Sequence, residues 1–181
     1  MCMCVCNNHH ANVGFCEILY LKIVGLKKTN MSSLQVFLEK QGYTKIKLHF
    51  TKTNHFEIIA SINGVKGLFI LDTGASSSCI GFNVINKFKL TIEDSKIKAT
   101  GAGASDMETK LSKNNKVRLG KRSYNKFNLV IFDLTHVNTA LIEHHSKPVD
   151  GIVGADILKQ GQAIIDYNKK YLYLYIPQKN I

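Results

Sequence analysis

The strongest local constraint on the fold is the dipeptide Asn63-Gly64, which separates two apolar runs. Both central residues of a type I′ turn need positive φ, and asparagine and glycine adopt it most readily. The pair therefore predicts a two-residue β-hairpin that joins a strand at 55–62 to a strand at 65–71. The second strand ends directly at Asp72.

Short β-type runs separated by turn residues continue from Lys45 to residue 176. Gly81 to Phe88 predicts a short helix, and another helical pattern, stopped by Gly42, follows Ser32. The class predicted is all-β, mainly β with one or two short helices in the domain. The further strands expected are 46–50, 92–99, 107–111, 117–119 and 128–132, with a closing hairpin of 163–167 and 171–176.

The first 30 residues differ in composition from the rest of the chain. Four of the five cysteines precede residue 17, three of them in a Cys-x-Cys-x-Cys run at 2–6 followed by His9-His10. Structural zinc sites use Cys-x-x-Cys pairs instead, so no metal is expected. Because a helical pattern begins just after Met31, we expect residues 1–30 to be an N-terminal extension, either disordered or upstream of the natural start. The folded domain is predicted to span 31–181.

The charge and cysteine pattern restricts the partners and the compartment. The net charge is +11, but its lysines are scattered and not interleaved with aromatic residues, so a solvated surface is favoured over nucleic-acid binding. No run approaches the ~18 apolar residues of a membrane span, and the start lacks the basic segment of a secretory signal. Only Cys79 lies outside the first 16 residues. We therefore expect a cytoplasmic protein with no nucleic-acid or membrane partner.

A carboxylate at the end of an apolar strand is the first candidate for chemistry. Asp72 is followed by Thr73, Gly74, Ala75 and Ser76. Glycine allows a tight turn and a close approach of another chain, and small neighbours leave room for water beside the carboxylate. The same tripeptide is also an ordinary turn in which aspartate accepts a hydrogen bond from its own backbone. By itself it leaves both interpretations open.

A second element about 80 residues later favours a functional site. Ile152, Val153 and Gly154 form an apolar pair ending in glycine, and a short helix is expected to open near Ala155. Asp156 either caps that helix or forms an ion pair, and capping is the favoured interpretation. Two such elements in this order rarely arise by chance.

In these two motifs the chain resembles the retropepsin-like aspartic proteases. Asp72-Thr73-Gly74-Ala75 is similar to their catalytic motif, and 152–154 is similar to their later hydrophobic-hydrophobic-glycine motif. The tail at 165–174 looks like their closing hairpin. The resemblance covers about residues 45 to 176.

The glycine-containing segment between the motifs has its own counterpart in that family. Gly101, Ala102 and Gly103 look like the tip of the flap hairpin, which contacts substrate. A flexible loop is the alternative, because the segment contains only glycine and alanine.

The resemblance implies a small closed β-barrel that is active only as a twofold homodimer, since one chain carries a single Asp-Thr-Gly. Two facing Asp72 carboxyls would share one proton. One would take a proton from water as it attacks a peptide carbonyl, and the other would protonate the oxyanion, with no cofactor or metal. Thr73 is implied to bond across the dimer, and Gly74 to place N–H groups near the carboxylates. Ala75 replaces a hydroxyl found in many pepsin-like enzymes, so a working range nearer neutral pH is expected.

The function predicted is therefore an aspartic endopeptidase that acts on a peptide or protein substrate. The alternative is a catalytically silent β-barrel that dimerises or binds peptides, and a basic nucleic-acid-binding domain is the weakest of the three. His144 and His145 are expected in an exposed polar loop before Pro148, and Cys79 is expected to be a small buried residue.

Overall fold

Six β-strands close into a barrel in the structure of this chain, a computed structural model that describes residues 34–95, 99–101 and 104–178. The strands are β1 (Tyr43–Lys47), β2 (His49–Phe50), β3 (Phe56–Ile62), β4 (Val65–Leu71), β5 (Cys79–Gly81), β6 (Glu93–Asp94), β7 (Ala99–Gly101), β8 (Ala104–Met107), β9 (Lys110–Leu119), β10 (Arg122–Phe132), β11 (Gly151–Val153), β12 (Ile164–Asp166) and β13 (Tyr171–Tyr175). The α-helices are α1 (Leu34–Lys40), α2 (Thr135–Glu143) and α3 (Ala155–Gln160), and Phe82–Val84 forms a 3₁₀-helix. The predicted all-β class is confirmed.

The barrel wall follows the order β3, β4, β11, β5, β10 and β9, and the pairing of β9 with β3 closes it. β11 runs parallel to β4 and antiparallel to β5, and β5 runs parallel to β10. The remaining pairs in the wall are antiparallel. The wall is thus a mixed sheet in which β11, near the end of the chain, is inserted between two strands from its first half.

Alternating side chains of the wall fill the barrel. In β3, Phe56, Ile58 and Ala60 are buried, whereas Ile59 between them is exposed. This period of two is expected of strands with one face on a core. In β4, Phe69 and Leu71, two positions apart, are likewise part of the core.

A second, smaller apolar cluster lies on the other face of the wall. Ile70 belongs to it, since its side chain alternates with those of its two core neighbours in β4. Helix α2 covers this face. The cluster consists of Ile70, Leu141 and Val149, with Leu68, Val137 and Ile152 packed against it.

The hairpin predicted from Asn63-Gly64 is confirmed, with φ of 48° at Asn63 and 89° at Gly64. The Asn63 side chain also fastens the turn to β9. Its amide donates to Asn115 Oδ1 at 2.9 Å and its Oδ1 accepts from the Lys116 N–H at 2.9 Å. The turn is therefore held by the barrel as well as by its own conformation.

The C-terminal hairpin is also confirmed, although it is shorter than predicted. β13 pairs with β12 on one side and with β1 on the other, which makes a three-stranded antiparallel sheet. The helical pattern before Gly42 is present as α1, and Gly42 ends it with φ of 87°.

Four of the strand and helix predictions between residues 81 and 119 are wrong in extent. The predicted strands 107–111 and 117–119 are parts of β8 and of one continuous β9, because the polar stretch around Asn114 (φ 59°) belongs to the strand and not to a turn. The segment 92–99 is not one strand, since β6 contains two residues and Ser95 follows it outside any strand. The helix predicted at 81–88 is reduced to the 3₁₀-helix, because Gly81 pairs with Phe132 in the wall.

Helix α2 was not predicted from the sequence. Thr, Val and Asn are weak helix formers, and only Leu141 is fully buried, so neither propensity nor periodicity marks the segment. Packing of its buried side against the outer cluster explains why it forms. His144, the residue after the last helical one, and His145 lie in the turn that leads to Pro148, and both are exposed, as expected.

Residues 1–33 lie outside the described part of the chain, so the predicted boundary between 1–30 and 31–181 stays a prediction. Gln35–Ile181 forms one unit by its internal contacts. In the part of the chain that the structure describes, no helix is long and apolar enough to cross a membrane.

Alanine substitutions at two glycines distinguish the stability cost of a positive φ from the stability cost of a steric clash. A Cβ at Gly64 would meet nothing within 4 Å, so Gly64→Ala should cost only the positive φ, about 1–2 kcal/mol of unfolding free energy. A Cβ at Gly151 would overlap the Cys79 carbonyl oxygen in the adjacent strand, so Gly151→Ala should cost more than about 3 kcal/mol. Urea unfolding of both variants measures the difference, and equal losses would contradict it.

Candidate active site

Asp72 lies where β4 leaves the wall beside β11. Its backbone N–H donates to the Val153 carbonyl at 3.0 Å, which extends the parallel pairing of Leu71 with Val153 by one hydrogen bond. The side chain is partly exposed. A carboxylate thus stands at the end of a buried strand with one side open to solvent.

The turn after Asp72 orients the carboxylate. The Gly74 N–H donates to Asp72 Oδ1 at 2.8 Å, and a Cβ at Gly74 would lie 3.2 Å from the same oxygen. Thr73 and Ser76 are exposed, and Ala75 is half-buried. The aspartate thus accepts a hydrogen bond within its own turn, as the turn interpretation predicts, and its carboxyl group is still partly exposed.

The second motif holds this loop from behind. The Ala155 N–H donates to the Ala75 carbonyl at 2.7 Å. A Cβ at Gly154 would lie 2.8 Å from that same carbonyl oxygen and 2.9 Å from the Ser77 carbonyl oxygen. Because both obstacles are backbone atoms, only glycine allows the loop and β11 to lie this close. The structure thus brings 72–76 and 152–154 together.

A buried hydrogen-bond network centred on Ser78 completes the junction. Asp156 accepts from the Ser78 N–H at 2.8 Å and from its hydroxyl at 2.6 Å, and Ser78 Oγ accepts from the Gly154 N–H at 2.9 Å. The predicted cap is corrected here. Gly154 is the N-cap of α3 without a side-chain cap, and Asp156, in the first turn, accepts from the Ile157 N–H but otherwise binds Ser78.

Asp150 is a second structural carboxylate. Its side chain accepts from the Leu68 N–H at 2.9 Å and pairs with Lys87 at 2.7 Å. Its backbone carbonyl accepts from the Gly81 N–H at 2.9 Å. Asp150 therefore links β4 and β5 just before β11 enters between them.

Cys79 lies behind the loop, buried as predicted. Burial raises the pKa of its thiol to about 12, and the carboxylates of Asp156 and Asp72 add to the rise. The thiol is thus protonated across the physiological range and is a packing residue, not a nucleophile.

The predicted flap segment falls on a separate hairpin. β7 and β8 pair antiparallel, with Ala99 opposite Met107 and Gly101 opposite Ala104. Gly101 is the last residue of β7. Ala102 and Gly103, the predicted tip, lie outside the described residues.

No three His, Cys, Asp or Glu side chains gather as metal ligands within the described ranges 34–95, 99–101 and 104–178.

A comparison with known protein families shows which family this chain matches. The profile of a family described as aspartyl protease matches residues 58–157, a stretch that includes Asp72 and Gly154. The chain belongs to this aspartyl protease family. A comparison with curated proteins found no match.

Three solved structures are similar to this aspartyl protease family member, and the match with the TM-score of 0.50 supports a shared fold. A retropepsin-like aspartic protease from Rickettsia conorii superposes with a TM-score of 0.50 at 20% identity, over 74% of this chain and 91% of that chain. EIAV protease complexed with the inhibitor HBY-793 gives 0.49 at 21% identity, over 65% and 98%. The retroviral protease-like domain of Ddi1 from Leishmania major gives 0.43 at 16% identity, over 69% and 96%. The retropepsin-like fold expected from the two motifs is confirmed.

Sequence reasoning missed the residues that hold the aspartyl protease loop in place. Ser78 stands in a run of three serines, and nothing local distinguishes it from its exposed neighbours Ser76 and Ser77. Asp150 directly precedes Gly151, and no role was predicted for it from the sequence. Their roles depend on partners 63 to 82 positions away, which the sequence order does not reveal.

Ser78→Ala should destabilise the fold by about 2–3 kcal/mol, because it leaves the buried Gly154 N–H without its acceptor and removes a donor from Asp156. Ser76→Ala is the matched control and should change stability by less than about 0.5 kcal/mol. Urea unfolding of the two variants provides the measurement. Similar midpoints for both would show that the network does not hold the loop.

Proposed function

We propose that this chain is an aspartic endopeptidase in which two Asp72 carboxyls of a homodimer activate water for peptide-bond hydrolysis. The observation that carries the proposal is the accessible Asp72 carboxyl, oriented by the Gly74 N–H in a loop that Gly154 and Ser78 clamp to the barrel. Family membership and fold support the same chemistry.

The homodimer is proposed because one chain supplies one Asp-Thr-Gly. Acid and base catalysis on the same water and carbonyl needs two carboxyl groups in different protonation states. Two identical chains meet this need about a twofold axis, which brings the same loop to the site twice. The exposed position of Thr73, next to Asp72, is consistent with a contact between the two loops.

The proposed mechanism needs no covalent intermediate. Two carboxyls a few ångströms apart hold a single proton between them, since both cannot ionise easily. The ionised carboxylate removes a proton from water as the water oxygen bonds to the peptide carbon. The other carboxyl donates its proton to the carbonyl oxygen, which gives a gem-diol intermediate. The first carboxyl then passes the proton taken from water to the peptide nitrogen while the second takes back a proton from one hydroxyl, so the C–N bond breaks and the amine and the new carboxyl group are released.

The β7–β8 hairpin is the proposed flap. It pairs as a sheet of its own, separate from the barrel wall, and contains Gly101 at the end of its first strand. Among the described residues the two strands pair only with each other, and such a hairpin can move as a unit over a bound peptide.

Asp72→Asn should reduce kcat/KM on an unstructured protein substrate by at least about 1,000-fold, because the dyad loses the group that ionises. Asp94→Asn is the matched control, since Asp94 is exposed in β6 and pairs with Lys110. Both are assayed from pH 4 to 8, with and without a statine-type inhibitor. We expect inhibitor-sensitive cleavage by wild type and by the control. Inactivity of all three, with a stable dimer in light scattering, would favour the silent barrel instead.

Mixing the two kinds of subunit tests the shared site. If every active dimer needs two Asp72 residues, an equilibrated equal mixture of wild type and Asp72→Asn should retain about a quarter of the activity of the same total amount of wild type. A chain that is active alone would retain about half. Activity per molecule should also fall on dilution below the dimer dissociation constant.

A further inference from the structure

A pocket of about 580 Å³ is lined by Ile70, which lies two positions before the candidate catalytic Asp72. One wall is the loop 52–55 between β2 and β3, and the opposite wall is helix α2. Ile70 of β4 lies between them. We refer to this space as the basic pocket, because four of its lining residues are basic: Lys52, His55, His136 and His144.

The strand geometry places the basic pocket on the same side of the wall as the Asp72 carboxyl group. Ile70 and Asp72 are two positions apart along an extended chain, so their side chains leave the wall on the same face, about 7 Å apart. Phe56 pairs with Leu71, and continuing this register by one residue puts His55 opposite Asp72. The pocket is therefore within reach of a peptide whose scissile bond lies at Asp72.

The ionisable side chains of the lining are all basic. No aspartate or glutamate is among the residues that line it. Glu57 pairs with Ile70 in the β3–β4 ladder but does not line the pocket. Lysine and histidine N–H groups bind a carboxylate by charge-assisted hydrogen bonds, which are stronger than neutral ones.

The loop wall is preorganised by hydrogen bonds. The Thr51 N–H donates to the His55 carbonyl at 2.9 Å, and the His55 N–H donates to Thr51 Oγ1 at 3.1 Å. Thr53 Oγ1 lies 3.1 Å from His55 Nδ1. The imidazole is thus held by its own loop and need not be ordered when a ligand binds.

The helix wall is fixed to the barrel. The Asn138 side chain donates to the Val149 carbonyl at 3.1 Å and accepts from the Val149 N–H at 2.8 Å. Leu141 packs on Ile70 in the outer cluster. His136 and His144 are therefore presented by a helix whose position is set by both polar and apolar contacts.

A metal site is not the better explanation of the three histidines. They do not gather with one another, or with an acid, as a group of ligands in the part of the chain that the structure describes. The lining combines the apolar side chain of Ile70 with basic side chains. This combination suits a ligand side chain that has methylene groups and a terminal carboxylate.

We propose that the basic pocket binds an acidic side chain of the substrate, glutamate or aspartate, within about two residues of the scissile bond. An extended peptide rises about 3.3 Å per residue, so a 7 Å offset corresponds to about two positions. The inference rests on the proposed peptidase function. The twofold axis proposed above repeats the pocket, so the preference applies on both sides of the bond.

The test uses non-cleavable peptides with a hydroxyl-bearing isostere in place of the scissile bond. Glutamate is placed at each of the two positions on either side, one at a time, and each peptide is compared with its glutamine twin. Calorimetric titration of the full-length protein gives the Kd of each pair. We expect at least one glutamate peptide to bind wild type about tenfold more tightly than its twin.

Two variants assign that preference to the pocket. His136→Gln/His144→Gln and, separately, Lys52→Gln should lower the glutamate-to-glutamine ratio to about threefold or less, since each removes part of the positive lining. His145→Gln/Lys147→Gln is the matched control, because both residues are exposed and neither lines the pocket. It should keep the wild-type ratio.

The outcomes separate this inference from the proposed function. A glutamate preference that the pocket variants lose supports the inference even if wild type cleaves no substrate, in which case only the peptidase proposal fails. Cleavage without any glutamate preference, or with a preference that both pocket variants retain, overturns the inference and leaves the peptidase standing. Failure of every peptide to bind wild type also overturns it.

Discussion

The insertion of β11 between β4 and β5 is the constraint on which the rest of the structure depends. It brings residues 151–153 into a sheet with strands some 70 to 80 positions earlier and makes the wall continuous between β4 and β5. Two glycines make the insertion sterically possible, because a side chain at Gly151 or Gly154 would collide with backbone atoms of the neighbouring segment. The loop that contains Asp72 is positioned by this contact and not by its own sequence alone.

Some polar residues of that loop are buried and others are exposed. Ser78 lies in the interior, where its hydrogen bonds to Asp156 and Gly154 are worth most. Asp72 remains partly exposed to solvent. This division is what a site needs if it is to hold a carboxylate rigidly without desolvating it completely. The buried polar groups provide the rigidity and the exposed one is left for chemistry.

Local signals predicted much of the fold and the central part of the site. The Asn63-Gly64 turn, the strands on either side of it and the C-terminal hairpin depend on neighbouring residues, so they were found from the sequence. Helix α2 was missed because it forms by packing on Ile70 and Val149, and not through helical propensity. The continuous β9 was missed because the polar residues 112–116 interrupt its apolar pattern, although Ser112 and Asn115 among them are buried. Side chains that act through distant partners, such as Ser78, could not be found.

The sequence by itself determined where the chain turns, which runs become strands and where a carboxylate precedes a glycine, because these features follow from the φ preferences and side-chain alternation of adjacent residues. Only the tertiary structure decided what surrounds that carboxylate. The pairing of β11 with β4, the bond between Ser78 and Asp156 and the meeting of His55 with α2 across a pocket all join residues far apart in the chain. Such contacts depend on how the barrel closes, which is a property of all six strands together.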